Sequence, residues 1–218
     1  MVVFDAYGTL WNIQGIEEAV AAVLGRTGST SVLELWRKKQ LEYAWLRTLM
    51  DRYEPFRQVT RDALSYTLKV SGLQVTEEEQ THLLDAWNHP APFPDASWLL
   101  PHLSSQQRII LSNGDAAMLE AGLRHSGLQS QLDGVLSVDL AGRYKPHPAA
   151  YRLVLEQLHA AREDVVFVSS NGWDIAGASH FGFRTIWVNR GRGPIEELSV
   201  KPWKTVSSLS DIASIVEL

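Results

Sequence analysis

Three features of the sequence predict an α/β fold: a doubly wound parallel sheet with an all-helical insertion after its first strand. Short apolar runs at residues 2–4, 108–112, 135–138, 165–170 and 185–188 alternate, from residue 108 onward, with stretches of helical character, the order that builds parallel strand-helix units. The long segment between the first two runs has helical spacing and no strand-like stretch. Polar residues gather just past the runs, at Asp5, at Ser112-Asn113 and from Ser169 to Asp174. In such sheets the carboxyl ends of the strands share one edge, where ligands bind.

The elements follow in order. Val2-Val3-Phe4 suits a strand buried on both faces and delivers Asp5 to the turn Ala6-Tyr7-Gly8-Thr9. Ile16, Val20, Val23 and Leu24 recur at the spacing of one helical face between Gly15 and Gly25. Residues 32–50 contain neither Gly nor Pro and are rich in good helix formers. Helical pieces follow over 59–70 and 77–88, the second opened by the cap-like Thr76-Glu77-Glu78-Glu79. The cluster Pro90-Ala91-Pro92-Phe93-Pro94-Asp95 then breaks the pattern and marks the return from the insertion. The expected organisation is a core of residues 1–12 and 92–218 with a helical cap subdomain of residues 13–91. In the core, strand 108–112 leads to a helix ending near His125, and strand 135–138 precedes a helix over 148–159. Pro148 falls in that helix's first turn, where a missing N–H does no harm. Strand 165–170, a helix closing at Gly182 and strand 185–188 complete the set.

Composition narrows the function. The 218 residues can bury one core and a subdomain, and 45% hydrophobic with 21% charged residues is ordinary for a soluble globular protein. A net charge of −5 without a basic stripe predicts no nucleic-acid partner. Without cysteine there are no disulfides, thiolate nucleophiles or cysteine-bound metals. No apolar run approaches the roughly 18 residues of a membrane span. A chain that starts on a core strand predicts no leader peptide and a cytoplasmic protein.

An aspartate leaving a strand is often a turn or cap residue. Gly8-Thr9 beside Asp5 permits a tight loop with exposed N–H groups and a hydroxyl, which favours a chemical role. A phosphoryl-transfer site would place a second acid two residues on to hold Mg²⁺, and here Tyr7 stands there. Asp5 therefore reads as a carboxylate nucleophile without a metal partner, aimed at something less charged than a phosphate. Arg37 shares a helix face with Leu33, Leu41 and Ala44 and either snorkels to water or meets a buried anion. Two prolines pin the loop Tyr144-Lys145-Pro146-His147-Pro148, so Lys145 is either a held ammonium or a solvated loop lysine, with Tyr151 on the first turn of the following helix; His147 reads as a turn residue. Ser112 and Asn113 either cap the next helix or bind a small anionic group. Ser169, Asn171 and Asp174 follow the strongest strand, where Asp174 serves as a helix cap or as a reactive acid. Tyr7, Trp11, Phe56 and Trp173 fill the core or wall an apolar pocket.

With these residues in place the chain resembles the haloacid dehalogenase superfamily, and within it the type II L-2-haloacid dehalogenases. The resemblance runs from Phe4-Asp5-Ala6-Tyr7-Gly8-Thr9-Leu10 to Gly182-Phe183. It includes Leu35-Trp36-Arg37-Lys38-Lys39-Gln40-Leu41-Glu42-Tyr43, Leu111-Ser112-Asn113-Gly114, Tyr144-Lys145-Pro146 and Phe167-Val168-Ser169-Ser170-Asn171-Gly172-Trp173-Asp174. It implies a Rossmann-like core under a helical cap, no metal and no cofactor. It also implies hydrolysis of a small 2-haloalkanoic acid to a D-2-hydroxy acid, with inversion and release of halide. By the same resemblance Asp5 is the nucleophile, Arg37 meets the leaving halide helped by Asn113, and Ser112 with the amides of Ala6 and Tyr7 binds the substrate carboxylate. Thr9, Lys145, Tyr151, Ser169, Asn171 and Asp174 complete the polar set, and Tyr7, Leu41, Phe56 and Trp173 border the alkyl group. Two positions depart from the family pattern: Ala6 is smaller than the leucine of some members, and Lys38 stands where glutamine is common. Family members are often homodimers, for which Trp45, Leu46, Leu49 and Met50 offer an apolar patch. The alternatives are a Mg²⁺-dependent phosphatase of the same superfamily, which would need a second acid near Asp5, and a binding protein without turnover.

Overall fold

The computed structural model describes residues 1–216. In chain order its first elements are β1 (Val2–Phe4), β2 (Trp11–Asn12), α1 (Gln14–Leu24), α2 (Ser29–Leu49), α3 (Phe56–Val70), α4 (Glu77–Asp85) and β3 (Ala91–Pro92). The remainder comprises α5 (Pro94–His102), β4 (Arg108–Ser112), α6 (Ala116–Ser126), β5 (Gly134–Ser137), α7 (Pro148–Leu158), β6 (Val166–Ser169), α8 (Gly172–Phe181), β7 (Arg184–Val188), β8 (Lys204–Val206) and α9 (Ala213–Val216). Six strands form one parallel sheet in the order β5-β4-β1-β6-β7-β8, the doubly wound α/β architecture expected.

Position in that sheet decides where the chemistry falls. β1 runs between β4 and β6, with Phe4 level with Ile110 and Val168. The chain first winds outward through β4 and β5, then returns to β6 on the other side of β1. This reversal opens a crevice at the carboxyl ends of the central strands. Asp5 is the first residue beyond β1, and its N–H donates to the Val168 carbonyl at 2.9 Å. Val3 and Phe4 are wholly buried, so the strand beneath the aspartate is anchored from both faces.

The helices α1 to α4 all lie between β2 and β3, two short antiparallel strands that pair Trp11 with Pro92 and Asn12 with Ala91. The Thr76 capping box opens α4 as its sequence predicts: the Glu79 amide donates to the Thr76 hydroxyl at 3.1 Å and the Thr76 amide to the Glu79 carboxylate at 2.7 Å. The insertion is bolted to the sheet side by polar contacts. Arg57, in the first turn of α3, donates its amide to the fully buried Asp115 at 2.9 Å and pairs with it through Nη2 at 3.0 Å. The Tyr144 amide donates to Thr48 Oγ1 at 3.0 Å, and Tyr7 Oη to the Trp87 carbonyl at 2.9 Å.

The structure corrects several expectations. Beyond β3 the proline cluster also opens a helix that the sequence did not predict: Pro94 occupies the first turn of α5, where a fixed φ assists and no N–H is needed. The β2–β3 pair and the edge strand β8 had no periodic signal, the first being two residues long and the second mostly exposed. α3 starts at Phe56 rather than at residue 59. Trp45 does not join a surface patch with its neighbours. Its ring packs edge-on against Trp173, 5.6 Å between centroids, and its indole N–H donates to the Lys145 carbonyl at 3.2 Å. Leu46, Leu49 and Met50 are exposed. Among the described residues no helix is long and apolar enough to cross a membrane.

Candidate active site

The turn after β1 folds back on itself because Gly8 adopts φ +86°, a conformation that strains any residue with a Cβ. The amides of Thr9, Leu10 and Trp11 all donate to the Ala6 carbonyl, at 3.1, 2.9 and 3.0 Å. That geometry returns the Thr9 hydroxyl to the aspartate, where it donates to Asp5 Oδ2 at 3.0 Å. From the far side, at the end of β6, Asn171 Nδ2 donates to the same oxygen at 2.8 Å and Ser169 Oγ at 3.4 Å. The other oxygen, Oδ1, accepts from Lys145 Nζ at 2.8 Å. Asp5 thus has one oxygen held by neutral donors and one by an ammonium group, at 5% exposure.

Lys145 is no solvated loop lysine. It is wholly buried, and its Nζ also donates to Asp174 Oδ2 at 2.7 Å and to the Leu111 carbonyl at 3.0 Å. Burial works against its charge, but Asp174 and Asp5 outweigh this and raise its pKa, so it remains an ammonium. Asp174 does not cap α8, whose N-cap residue is Asn171. It turns inward, fully buried, and accepts from Tyr151 Oη at 2.8 Å on its second oxygen. Burial first, and then repulsion from Asp5, push its carboxyl up to about 6, against the opposing pull of Lys145. Burial and the Asp174 charge raise the Tyr151 hydroxyl well above its ordinary range, so it serves as a donor. A glycine makes this packing possible: a Cβ on Gly177 would sit 2.5 Å from both Pro146 Cβ and Tyr151 Oη.

Opposite this cluster stands Arg37 of α2. Burial lowers its pKa and the Asp5 charge opposes that, and a guanidinium stays charged under both. Its Cζ lies over the Trp87 ring, 5.5 Å from the centroid, and Nη1 donates to Gln40 Oε1. Gln40 is buried and donates in turn to Thr60 Oγ1 at 2.7 Å, and Thr60 to the Phe56 carbonyl at 2.7 Å. Gln40, Thr60 and Trp87 were not singled out in the sequence. Only Gln40 carried a signal, lying three residues from Arg37 on one helix face.

Ser112 Oγ accepts from the Gly114 amide at 3.1 Å, and Asn113 Oδ1 from the Lys145 amide at 2.9 Å. Asn113 Nδ2 is buried without a partner among the described residues. The amides of Ala6 and Tyr7 likewise have none there, since the turn consumes the ones that follow. A buried, unpaired donor is costly, by roughly 1–3 kcal/mol, so such groups usually await a ligand or water. The apolar set is more dispersed: Phe56 packs on Tyr144 at 5.7 Å, Trp173 on Trp45, and Leu41 is half-buried. Trp11 is wholly buried core, Lys38 is exposed, and His147 is the N-cap residue of α7, a turn role.

A family model described as haloacid dehalogenase-like hydrolase matches residues 1–182. The chain belongs to the haloacid dehalogenase-like hydrolases. Among curated relatives of this hydrolase, the (S)-2-haloacid dehalogenase of Xanthobacter autotrophicus is 46% identical over 189 residues, 87% of this chain and 74% of that protein. That of Pseudomonas sp. (strain YL) is 39% identical, over 99% of this chain and 94% of the relative. The hydrolase also superposes, with a TM-score of 0.92 and 39% identity, on the L-2-haloacid dehalogenase from Xanthobacter autotrophicus with chloropropionic acid covalently bound, covering 99% of this chain and 97% of that one. Where a metal-dependent relative would present a second acid, this hydrolase has Tyr7, whose hydroxyl is engaged with Trp87.

Proposed function

We propose that this protein hydrolyses L-2-haloacids to D-2-hydroxy acids with inversion, through an ester on Asp5, residues 13–91 acting as a cap over the core of residues 1–12 and 92–218. The observation that carries the reading is the unlike surroundings of the two Asp5 oxygens. Oδ2 is fixed by three neutral donors, and Oδ1 bears only the Lys145 ammonium, so Oδ1 is the oxygen left to attack carbon 2 in line. A carboxylate is a weak nucleophile in water, but dry surroundings and alignment compensate, alignment alone supplying up to roughly 7–11 kcal/mol. Arg37 and the free Asn113 Nδ2 bind the halide as charge develops on it, an interaction stronger in the transition state than before it. Ser112 and the amides of Ala6 and Tyr7 receive the substrate carboxylate, and Leu41, Phe56, Tyr7 and Trp173 surround the alkyl group. The covalent adduct in the Xanthobacter structure, together with the curated relatives, supports this substrate class.

Water then attacks the Asp5 ester carbonyl. Its oxygen is the former Oδ2, and the Thr9, Ser169 and Asn171 donors now stabilise the oxyanion. Asp174 takes the proton from that water and returns it to Oδ1 as the Cγ–Oδ1 bond breaks and the hydroxy acid departs, its raised pKa making it a stronger base than an ordinary aspartate, with Tyr151 and Lys145 fixing its position. Chloride release from each enantiomer of 2-chloropropionate tests the reading: the (S) form is consumed and yields (R)-lactate, with full activity after exhaustive chelation. Release of chloride from neither enantiomer would defeat it.

The base role has a pH signature. An acid that must be deprotonated loses its function as pH falls through its pKa; in the ester the Asp5 charge that helps to raise the Asp174 pKa is gone, so turnover drops about tenfold per pH unit on an acid limb that begins at or below roughly 6. Asp174→Asn should still release one equivalent of halide per site and then stop, with the ester visible by mass. Continued turnover in that variant with an unchanged acid limb would remove Asp174 as the base.

A further inference from the structure

Arg190 lies two residues beyond β7 and contacts nothing that the mechanism places on the substrate, yet it ties the two loops that carry the Asp5 Oδ2 donors to a third segment at Asp95. Nη1 donates to Ser170 Oγ at 2.8 Å and to the Gly8 carbonyl at 3.3 Å. Nη2 donates to the Thr9 carbonyl at 3.1 Å and to both Asp95 oxygens, at 3.0 and 3.2 Å. The guanidinium lies 3.9 Å over the Phe93 ring. Asp95 is held in turn by the Leu209 amide and the Ser208 hydroxyl, both at 2.9 Å. The anchor of this clamp therefore lies just after β3, where the chain leaves the insertion.

What it holds is the Oδ2 donor set. Gly8 and Thr9 form the turn that aims the Thr9 hydroxyl at Asp5, and the Ser170 amide donates to that same hydroxyl at 2.9 Å. Ser170 also precedes Asn171, whose amide group is the shortest contact to Oδ2. The planar fork of an arginine reaches three oxygens of two separate loops at once, which a lysine ammonium on a single point cannot reproduce.

We propose that Arg190 is a positioning residue for the second half of the reaction: by clamping the 8–9 backbone and the Ser170 hydroxyl to Asp95 it keeps the Thr9 and Asn171 donors on the Asp5 oxygen that becomes the oxyanion when the ester is hydrolysed. This rests on the functional reading above. The donors strengthen most when charge appears on that oxygen, so loosening them slows ester hydrolysis more than ester formation. The consequence is kinetic. Slower hydrolysis lowers kcat and KM together and leaves kcat/KM nearly unchanged, whereas a loss of correctly folded enzyme lowers kcat and kcat/KM equally.

The test is rapid-quench halide release from (S)-2-chloropropionate by R190Q and R190K, with the mass of the quenched protein. Expected for R190Q is a burst near one equivalent per site, then a steady rate tenfold to a hundredfold below wild type. KM should fall in step, and the ester adduct should accumulate on the peptide containing Asp5. R190K, which keeps the Asp95 pair but fewer of the loop contacts, should fall between R190Q and wild type, and it carries the test if R190Q does not fold. Wild-type kinetics in both, or equal losses in kcat and kcat/KM without adduct, overturn the proposal. If the wild-type protein releases no halide, the functional reading fails, and amide hydrogen exchange judges the clamp instead. Residues 6–11 and 169–172 should then exchange at least tenfold faster in the variants while strand 108–112 is unaltered; equal exchange in all of them overturns it.

Discussion

Asp5→Asn is expected to lower halide release from (S)-2-chloropropionate by on the order of 10⁴-fold or more, the scale seen when a covalent nucleophile is removed. The amide preserves shape and sits in the same place at the end of β1, so substrate binding and folding should change little. What disappears is the anionic oxygen facing Lys145 and the reacting carbon. The residual rate must be read with the protein's mass, because an asparagine in this site can be hydrolysed back to aspartate and regain activity one dalton heavier. A second measurement follows from the same chemistry. In a single turnover in ¹⁸O water, the label should enter the Asp5 carboxyl group, and the first hydroxy acid released should carry oxygen from the protein. Label found directly in that product, with none on Asp5, would mean that water attacks carbon 2 itself.

Lys145→Met is expected to abolish turnover and to cost about 3–5 kcal/mol of stability at neutral pH. The methionine nearly fills the space but leaves Asp5 and Asp174 facing each other without the charge they share, and breaking a buried pair is expensive for this reason. The pH dependence identifies the cause. With the ammonium gone, the pull that opposes burial at Asp174 is lost, so folding favours its protonated form and its pKa lies further above that of the unfolded chain. Its contribution is present at low pH and is lost as pH rises through the folded pKa. The variant should therefore recover stability between pH 7 and pH 5, as followed by urea unfolding, while losing it further at pH 8. A constant deficit at every pH would assign the loss to packing instead.

The strand that carries Asp5 and the turn after it were legible because β1 is short, buried on both faces and followed by Gly8-Thr9, a local pattern. The helical insertion was legible for a similar reason: a capping box and a long stretch free of Gly and Pro are local properties. Lys145 was harder. Its sequence neighbourhood shows a stiff loop, and nothing within it says that the ammonium ends wholly buried between two carboxylates 140 and 29 residues away. Asp174 carried an open choice between helix cap and acid, which only the Tyr151 hydroxyl and Lys145 resolve by drawing it inward. Trp87 and Arg190 were missed because their partners come from other helices or loops and no spacing rule joins them, whereas Gln40 had only its i, i+3 spacing to Arg37 to mark it.

The sequence by itself determined the alternation that winds the sheet, the place of Asp5 at its edge, and the substitution of Tyr7 for a second acid, all of which follow from residue types within a few positions of one another. Tertiary structure alone decided the electrostatics: which oxygen of Asp5 is left to Lys145, how far burial lifts the Asp174 carboxyl, and which guanidinium faces the crevice and which one braces it from behind. Charge interactions depend on distance and on exclusion of water, and neither exists until remote segments pack together.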